Sequence, residues 1–216
     1  MIRTIDIDGW ERAGPFRFFS TYQRPQYGLV ARIDITRMMT ERKAAGHRPF
    51  IMMLHAMSVA GNAVPAFRQR LRGGTGGEPL SVIEYDRIGL GPTVARPDGS
   101  FAFASIPHAD CFASFEEEAA RRIVEAIGTT GLEDKATDDG SLYLSCTPTI
   151  DFTALTNAMR GPLDSVPRIC WGKFVEAPDG RWSCALSVEV HHCLIDGAHI
   201  AAFFAAAQQT LDSQNP

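Results

Sequence analysis

The chain has 216 residues, 45% of them hydrophobic and 21% charged, and its 25 acidic and 21 basic side chains leave a formal net charge of −4. This is the composition of an ordinary globular protein, far from the disordered and fibrous classes, and long enough to bury a substantial core as one domain, 1–216. The slight acidity offers no broad cationic field, so nucleic acid is not an expected partner, although two or three basic side chains would suffice for a phosphorylated cofactor.

The opening MIRTIDIDGWERAG is polar and carries no apolar run of signal-peptide length. The alternation in YGLVARIDITRM, 27 to 38, around Leu29, Ala31, Ile33 and Ile35, predicts a strand. RPFIMMLHAMSVAGNAVPAFRQRL, 48 to 71, reads as a buried helix with Pro49 in its first turn and an end or kink at Pro65. LRGGTGGEP, 71 to 79, reads as a hairpin tip, since its glycines lack the Lys-Ser/Thr ending of a phosphate-binding loop. Short strands are expected at 81–86, 88–95 and 101–106, with a turn at RPDGS, 96 to 100.

A helix then follows in SFEEEAARRIVEAIG. Ser114 and Glu117 have capping-box spacing, Phe115, Ala119, Ile123, Ala126 and Ile127 form one face, and Gly128 ends it. SLYLSCTPTIDF, 141 to 152, predicts a strand broken near Pro148, and RICWGKFVEA and RWSCALSVEV predict a hairpin bent at PDG. An Ala/Phe-rich helix runs from Gly197 to about Leu211. Several strands with three main helices in irregular order predict an α+β fold instead of a doubly wound sheet. No stretch reaches about 18 uninterrupted apolar residues, so no membrane span is expected. The cysteines, Cys111, Cys146, Cys170, Cys184 and Cys193, are odd in number and mostly set among apolar or small residues. That pattern predicts buried free thiols in a reducing cytoplasm instead of a disulfide framework.

The chemistry-bearing residue types gather in SVEVHHCLIDGAHIAAFF, 187 to 204. Cys184, Leu186, Val188 and Val190 share one strand face, and continued alternation places His192 on that apolar face and His191 on the other. Asp196, immediately before Gly197 and an apolar helix, suits an N-cap carboxylate. Burial disfavours a charged imidazole, so a histidine in such a dry setting stays neutral near pH 7, as a general base requires. Two other readings stand beside this one. Adjacent histidines at a strand end also serve structurally, bonded to nearby backbone. His191, His192, Cys193 and His199, with HADC at 108 to 111, also supply metal-ligating types, but neighbours on opposite strand faces converge poorly on one ion. The Gly-x-Ser-x-Gly elbow of serine hydrolases does not occur.

HHCLIDG fits His-His-x-x-x-Asp-Gly, and in this the chain resembles the CoA-dependent acyltransferase superfamily. Further segments are similar, in order, to the chloramphenicol acetyltransferase family. DGWERAGPFRFF resembles its Trp-x-Arg opening and ARIDITRM its next strand. GNAVPAFRQRL resembles its Asn-x-x-Pro-x-Phe-Arg helix end, LSCTPTIDF its Ser-x-x-Pro-x-x-x-Phe segment, and WGKF its Lys-aromatic strand. The resemblance implies a two-layer sandwich with a mixed, mostly antiparallel sheet and helices on one side. It also implies a homotrimer with active sites at subunit boundaries, acting on acetyl-CoA and a small alcohol without a metal. By the same resemblance His192 is the general base, Ser145 stabilises the oxyanion, Asp196 and Arg12 form an ion pair, and Lys173 and Phe174 contact CoA.

Some acceptor-pocket positions depart from the family pattern. Phe19 stands where the family has tyrosine, Thr149 where it has tryptophan and Cys170 where it has threonine, and LTNAMRGPLDSVPRICW replaces the usual Phe-Ala-Pro run. Losing those hydroxyls removes hydrogen-bond partners for the acceptor without touching the acyl chemistry. The expected activity is O-acetylation of chloramphenicol, an antibiotic-resistance function. The alternatives are a divergent O-acyltransferase for another small hydroxylated compound and a non-catalytic acyl-CoA or small-molecule binder.

Overall fold

In the computed structural model, which describes residues 1–74, 78–131 and 139–213, the chain begins with β1 (Ile2–Thr4), α1 (Ala13–Phe19) and β2 (Gln26–Asp34). The alternation that predicts β2 stops at Asp34, whose carboxylate accepts the Thr36 N–H at 2.8 Å and turns the chain out of the strand. One π-helical turn follows at Met38–Arg42.

α2 (Pro49–Ala63) begins at Pro49, where a missing N–H costs nothing. Ile51 through Met57 are all buried, so this helix is enclosed on every side, between α3 and α4 described below. The predicted helix stops short of Leu71. Val64, ahead of Pro65, is held extended, and Pro65–Arg68 makes a 3₁₀ turn. The rest of the segment becomes β3 (Gln69–Arg72). It pairs with β4 (Ser81–Tyr85) in the expected hairpin, whose tip at 75–77 lies outside the described residues. β1 joins β4 on its other edge, making a separate three-stranded antiparallel sheet that sequence reasoning did not foresee.

β5 (Gly89–Ala95) and β6 (Phe101–Phe103) are joined by the predicted turn, in which Gly99 takes φ +85. α3 (Phe112–Ile127) starts before Ser114, so Ser114 and Glu117 lie inside it and form no capping box; Cys111 holds the N-cap position. Phe112 and Phe115, fully buried against the His55 ring at 5.3 and 5.0 Å, anchor that earlier start.

The remaining elements are β7 (Ser141–Cys146), β8 (Arg168–Trp171), β9 (Val175–Glu176), β10 (Trp182–His191) and α4 (Gly197–Asp212). The large sheet runs β2-β10-β8-β7-β5-β6, with β9 beside β10. β7 is parallel to β5 and β8, and the other pairs are antiparallel. With helices on one side, this is the expected α+β two-layer sandwich with a mixed, mostly antiparallel sheet. Ile200, Phe203, Ala207 and Leu211 turn one face of α4 into the core, where Phe203 stacks on Phe67 at 4.6 Å.

β10, between β2 and β8, is buried from Cys184 to His191. Leu186, Val188 and Val190 join the main core, while Ser187, Glu189 and His191 point to the opposite side of the sheet. Among the described residues no helix is long and apolar enough to cross a membrane.

Candidate active site

β10 ends at His191, and the alternation therefore stops one residue short of His192. His191 lies on the face opposite the apolar row, as the alternation predicts, but the burial of the pair is the reverse of that expected. His191 is 2% exposed, while His192 lies in the following turn, half-buried. That turn is held by the Leu194 and Ile195 N–H groups, both donating to the His191 carbonyl at 3.0 Å. Burial pushes the His191 imidazole below the ordinary histidine value, against the pull of the Pro162 carbonyl.

The histidine side chains diverge. Nε2–H of His191 donates to the Pro162 carbonyl at 2.8 Å, and Nδ1–H of His199 donates to Asp196 at 2.7 Å. His192 directs Nδ1 to the Ile195 carbonyl at 3.2 Å. A carbonyl only accepts, so Nδ1 carries the hydrogen and the neutral ring keeps its lone pair on Nε2. Nε2 has no hydrogen-bond partner among the described residues. Phe19 stacks on this imidazole at 3.8 Å and 15°, and the Tyr27 ring leans on it at 4.4 Å and 37°.

The turn that presents His192 is pinned from two directions. Asp196 is the N-cap of α4 and accepts the Ala198 N–H at 3.1 Å. Its other oxygen pairs with Nη1 of Arg12, which is only 7% exposed, and Nη2 of Arg12 donates to the His192 carbonyl at 3.2 Å. Partial burial pushes the Asp196 carboxyl up, but the Arg12 hydrogen bond and the charges of His199 and Arg12 outweigh it and hold the carboxyl down at about 2. The ion pair implied by the resemblance is therefore present.

Ser145 is elsewhere. It lies in β7, opposite Cys170 of β8, which is in turn opposite Ser187 of β10, so the three form one row across the sheet. His192 is five residues beyond Ser187, about 16 Å along the strand and about 10 Å across, which leaves the two side chains roughly 20 Å apart. Ser145 instead lines a cavity of about 660 Å³ bounded by β5, β6, β7, the end of α3 and the loop at 157–160. Thr93, Tyr143, Arg96, Arg122 and Arg168 supply much of its polar wall.

Cys170, the middle member of this row, is buried, and burial pushes its thiol up to about 11. Burial likewise raises Cys193 to about 11 and Cys184 to about 12, so none of the three supplies a thiolate near neutral pH. All five cysteines are free thiols, and Cys111, expected to be buried, is exposed. Lys173 is exposed and Phe174 half-buried, in the short link between β8 and β9.

Sequence reasoning passed over Tyr27, although it shares the parity of Leu29, Ala31 and Ile33. Its hydroxyl is buried with no partner among the described residues, and burial, then the Asp196 charge, raises it to about 12. Glu189, a charged position within the strand β10, is only 8% exposed.

Comparison with known proteins identifies the family. A sequence model described as chloramphenicol acetyltransferase matches residues 1–208. A chloramphenicol acetyltransferase of Clostridium perfringens is 25% identical over 210 residues, 95% of this chain and 92% of that protein. One from Streptomyces acrimycini is 24% identical over 200 residues, 91% of this chain and 88% of the relative. A solved chloramphenicol acetyltransferase structure superimposes with a TM-score of 0.86 at 30% identity, covering 98% of this chain and all (100%) of the other. The chain is an acyltransferase and belongs to the chloramphenicol acetyltransferase family.

Proposed function

We propose that the protein transfers the acetyl group of acetyl-CoA directly to a hydroxyl of chloramphenicol, with His192 as general base. The observation that carries this reading is the His192 ring, tethered through Nδ1 to the Ile195 carbonyl with Nε2 unengaged. An alcohol attacks a thioester poorly until its proton is removed during the attack, and an imidazole about 3 Å away accelerates that step by about 10²–10⁴-fold. Nε2 takes the hydroxyl proton as the alcohol oxygen bonds to the thioester carbon. The carbonyl oxygen becomes an oxyanion, to which the Ser145 hydroxyl donates, an interaction worth about 3 kcal/mol. Collapse breaks the carbon–sulfur bond, and the CoA thiolate takes its proton from Nε2. The raised thiols of Cys170, Cys184 and Cys193 support direct transfer over a covalent cysteine intermediate. Asp196 and Arg12 do not touch the His192 imidazole as a triad would; they hold its turn, Arg12 through the His192 carbonyl.

The roughly 20 Å between Ser145 and His192 supports a homotrimer whose sites form between subunits, each taking its base from one chain and its acceptor cavity from the next. Lys173 and Phe174 are assigned to acetyl-CoA, Phe19 and Cys170 to the surroundings of the reacting groups. Free thiols at all five cysteines support a reducing, cytoplasmic setting. The arginines in the cavity wall favour a second reading, in which the acceptor is a more polar hydroxylated compound.

Release of CoA thiol, measured with chloramphenicol and a panel of small alcohols, tests both readings. Turnover with chloramphenicol that His192→Ala abolishes is expected. CoA binding by calorimetry without thiol release from any acceptor would replace the enzyme with a binder.

A further inference from the structure

The cavity wall at 157–160 belongs to a stretch between β7 and β8 that has no helix or strand from Asp151 to Pro167. With no ladder of its own, its position depends on what anchors it. The anchors are polar groups on the sheet face opposite the helices. Oε2 of Glu189 accepts the Asn157 backbone N–H at 2.8 Å and its side-chain N–H at 2.9 Å. His191 donates to the Pro162 carbonyl at 2.8 Å, and Gln26 donates to the carbonyls of Gly161 at 2.9 Å and Asp164 at 3.1 Å. Asp164 receives Arg168 through both guanidinium nitrogens at 3.0 and 2.5 Å.

A carboxylate removed from water is costly unless hydrogen bonds compensate it, and Glu189 meets that condition through Asn157. His191 is fixed at its second nitrogen too, because Nδ1 accepts the Cys193 N–H at 3.3 Å. Both residues therefore have one geometry, and both spend it on the wall of the cavity that Ser145 lines.

We propose that Glu189 and His191 are positioning residues that hold the 157–162 stretch against β10 and so set the shape of the acceptor cavity. The inference rests on the acyl-transfer reading for its kinetic consequence only. In Glu189→Ala, deuterium uptake across 153–164 should quicken at least about tenfold while the α2 amides keep their rates. The KM for chloramphenicol should rise about five- to tenfold, with kcat and the KM for acetyl-CoA within about twofold. Glu189→Gln, whose amide oxygen can still accept both Asn157 N–H groups, should recover most of both. Asn157→Ala removes one of the two bonds and covers the case in which Glu189→Ala fails to fold; it should move both readouts the same way by a smaller factor. Unchanged uptake at 153–164 in Glu189→Ala and Asn157→Ala, or uptake raised along the whole chain, would overturn the proposal. If wild type releases no CoA with chloramphenicol, that acceptor assignment fails, and the exchange data alone decide the positioning role.

Discussion

The tethered imidazole and the capped, ion-paired aspartate divide the work at the end of β10. Replacing His192 with alanine removes the only group assigned to take the alcohol proton, so kcat for acetyl transfer should fall by about 10²–10⁴-fold. Because His192 sits in a turn and not in the core, circular dichroism and the melting temperature should stay close to wild type. Asp196 makes a different prediction, in pH. Its folded carboxyl titrates at about 2, below the ordinary value of 3.8, so the folded state favours the ionised form. The stabilisation is complete above about pH 4 and is lost as pH falls toward 2. The melting advantage of wild type over Asp196→Asn, which keeps an N-cap oxygen and removes the charge, should be flat from neutral pH to about 4 and then vanish; an undiminished advantage at pH 2 would mean that it does not come from the ionised carboxylate. Asp196 was legible because an Asp-Gly ahead of an apolar run has a local physical meaning. Glu189 was not, because alternation tells which face a side chain takes and not what later covers that face.

At the scale of elements, β2, β10, α2 and α4 were legible from their apolar periodicity, and the errors fell at their ends. Pro65 marks the end of α2, but the residues after it pair with β4, a long-range pairing that no local pattern carries. The start of α3 was assigned to a capping motif, and burial of Phe112 outweighed it. The step from β8 to β9 makes a testable joint. A Cβ on Gly172 would lie 2.8 Å from the Ile150 carbonyl oxygen and 3.2 Å from the Phe152 ring. Gly172→Ala must therefore displace backbone, and it should destabilise the fold by about 1–3 kcal/mol, read as a lower urea midpoint at unchanged slope.

At the scale of the whole molecule, the sheet order keeps Ser145 and His192 of one chain apart; no local pattern encodes that distance, and only the resemblance, with its sites at subunit boundaries, points to it. Two inactive chains should therefore rescue each other. Co-expressed Ser145→Ala and His192→Ala chains should assemble mixed trimers in which about a quarter of the sites pair an intact serine with an intact histidine. Recovery of thiol release well above either variant alone is expected, whereas a site contained in one chain would yield none.

The tie between the His192 ring and the Ile195 carbonyl also bears on idling. With Nδ1 occupied, the proposed mechanism leaves Nε2 both to collect a proton from the nucleophile and to return it to sulfur, so each reacting atom would have to crowd about a single point. On that mechanism a water molecule reaching the same point would compete with the alcohol, and acetyl-CoA would be wasted as acetate. Phe19 and Tyr27 press their rings on the imidazole at 3.8 and 4.4 Å, and on the proposed mechanism they would narrow the way in for water; Phe19→Ala should then show first as faster acetyl-CoA hydrolysis when no acceptor is present.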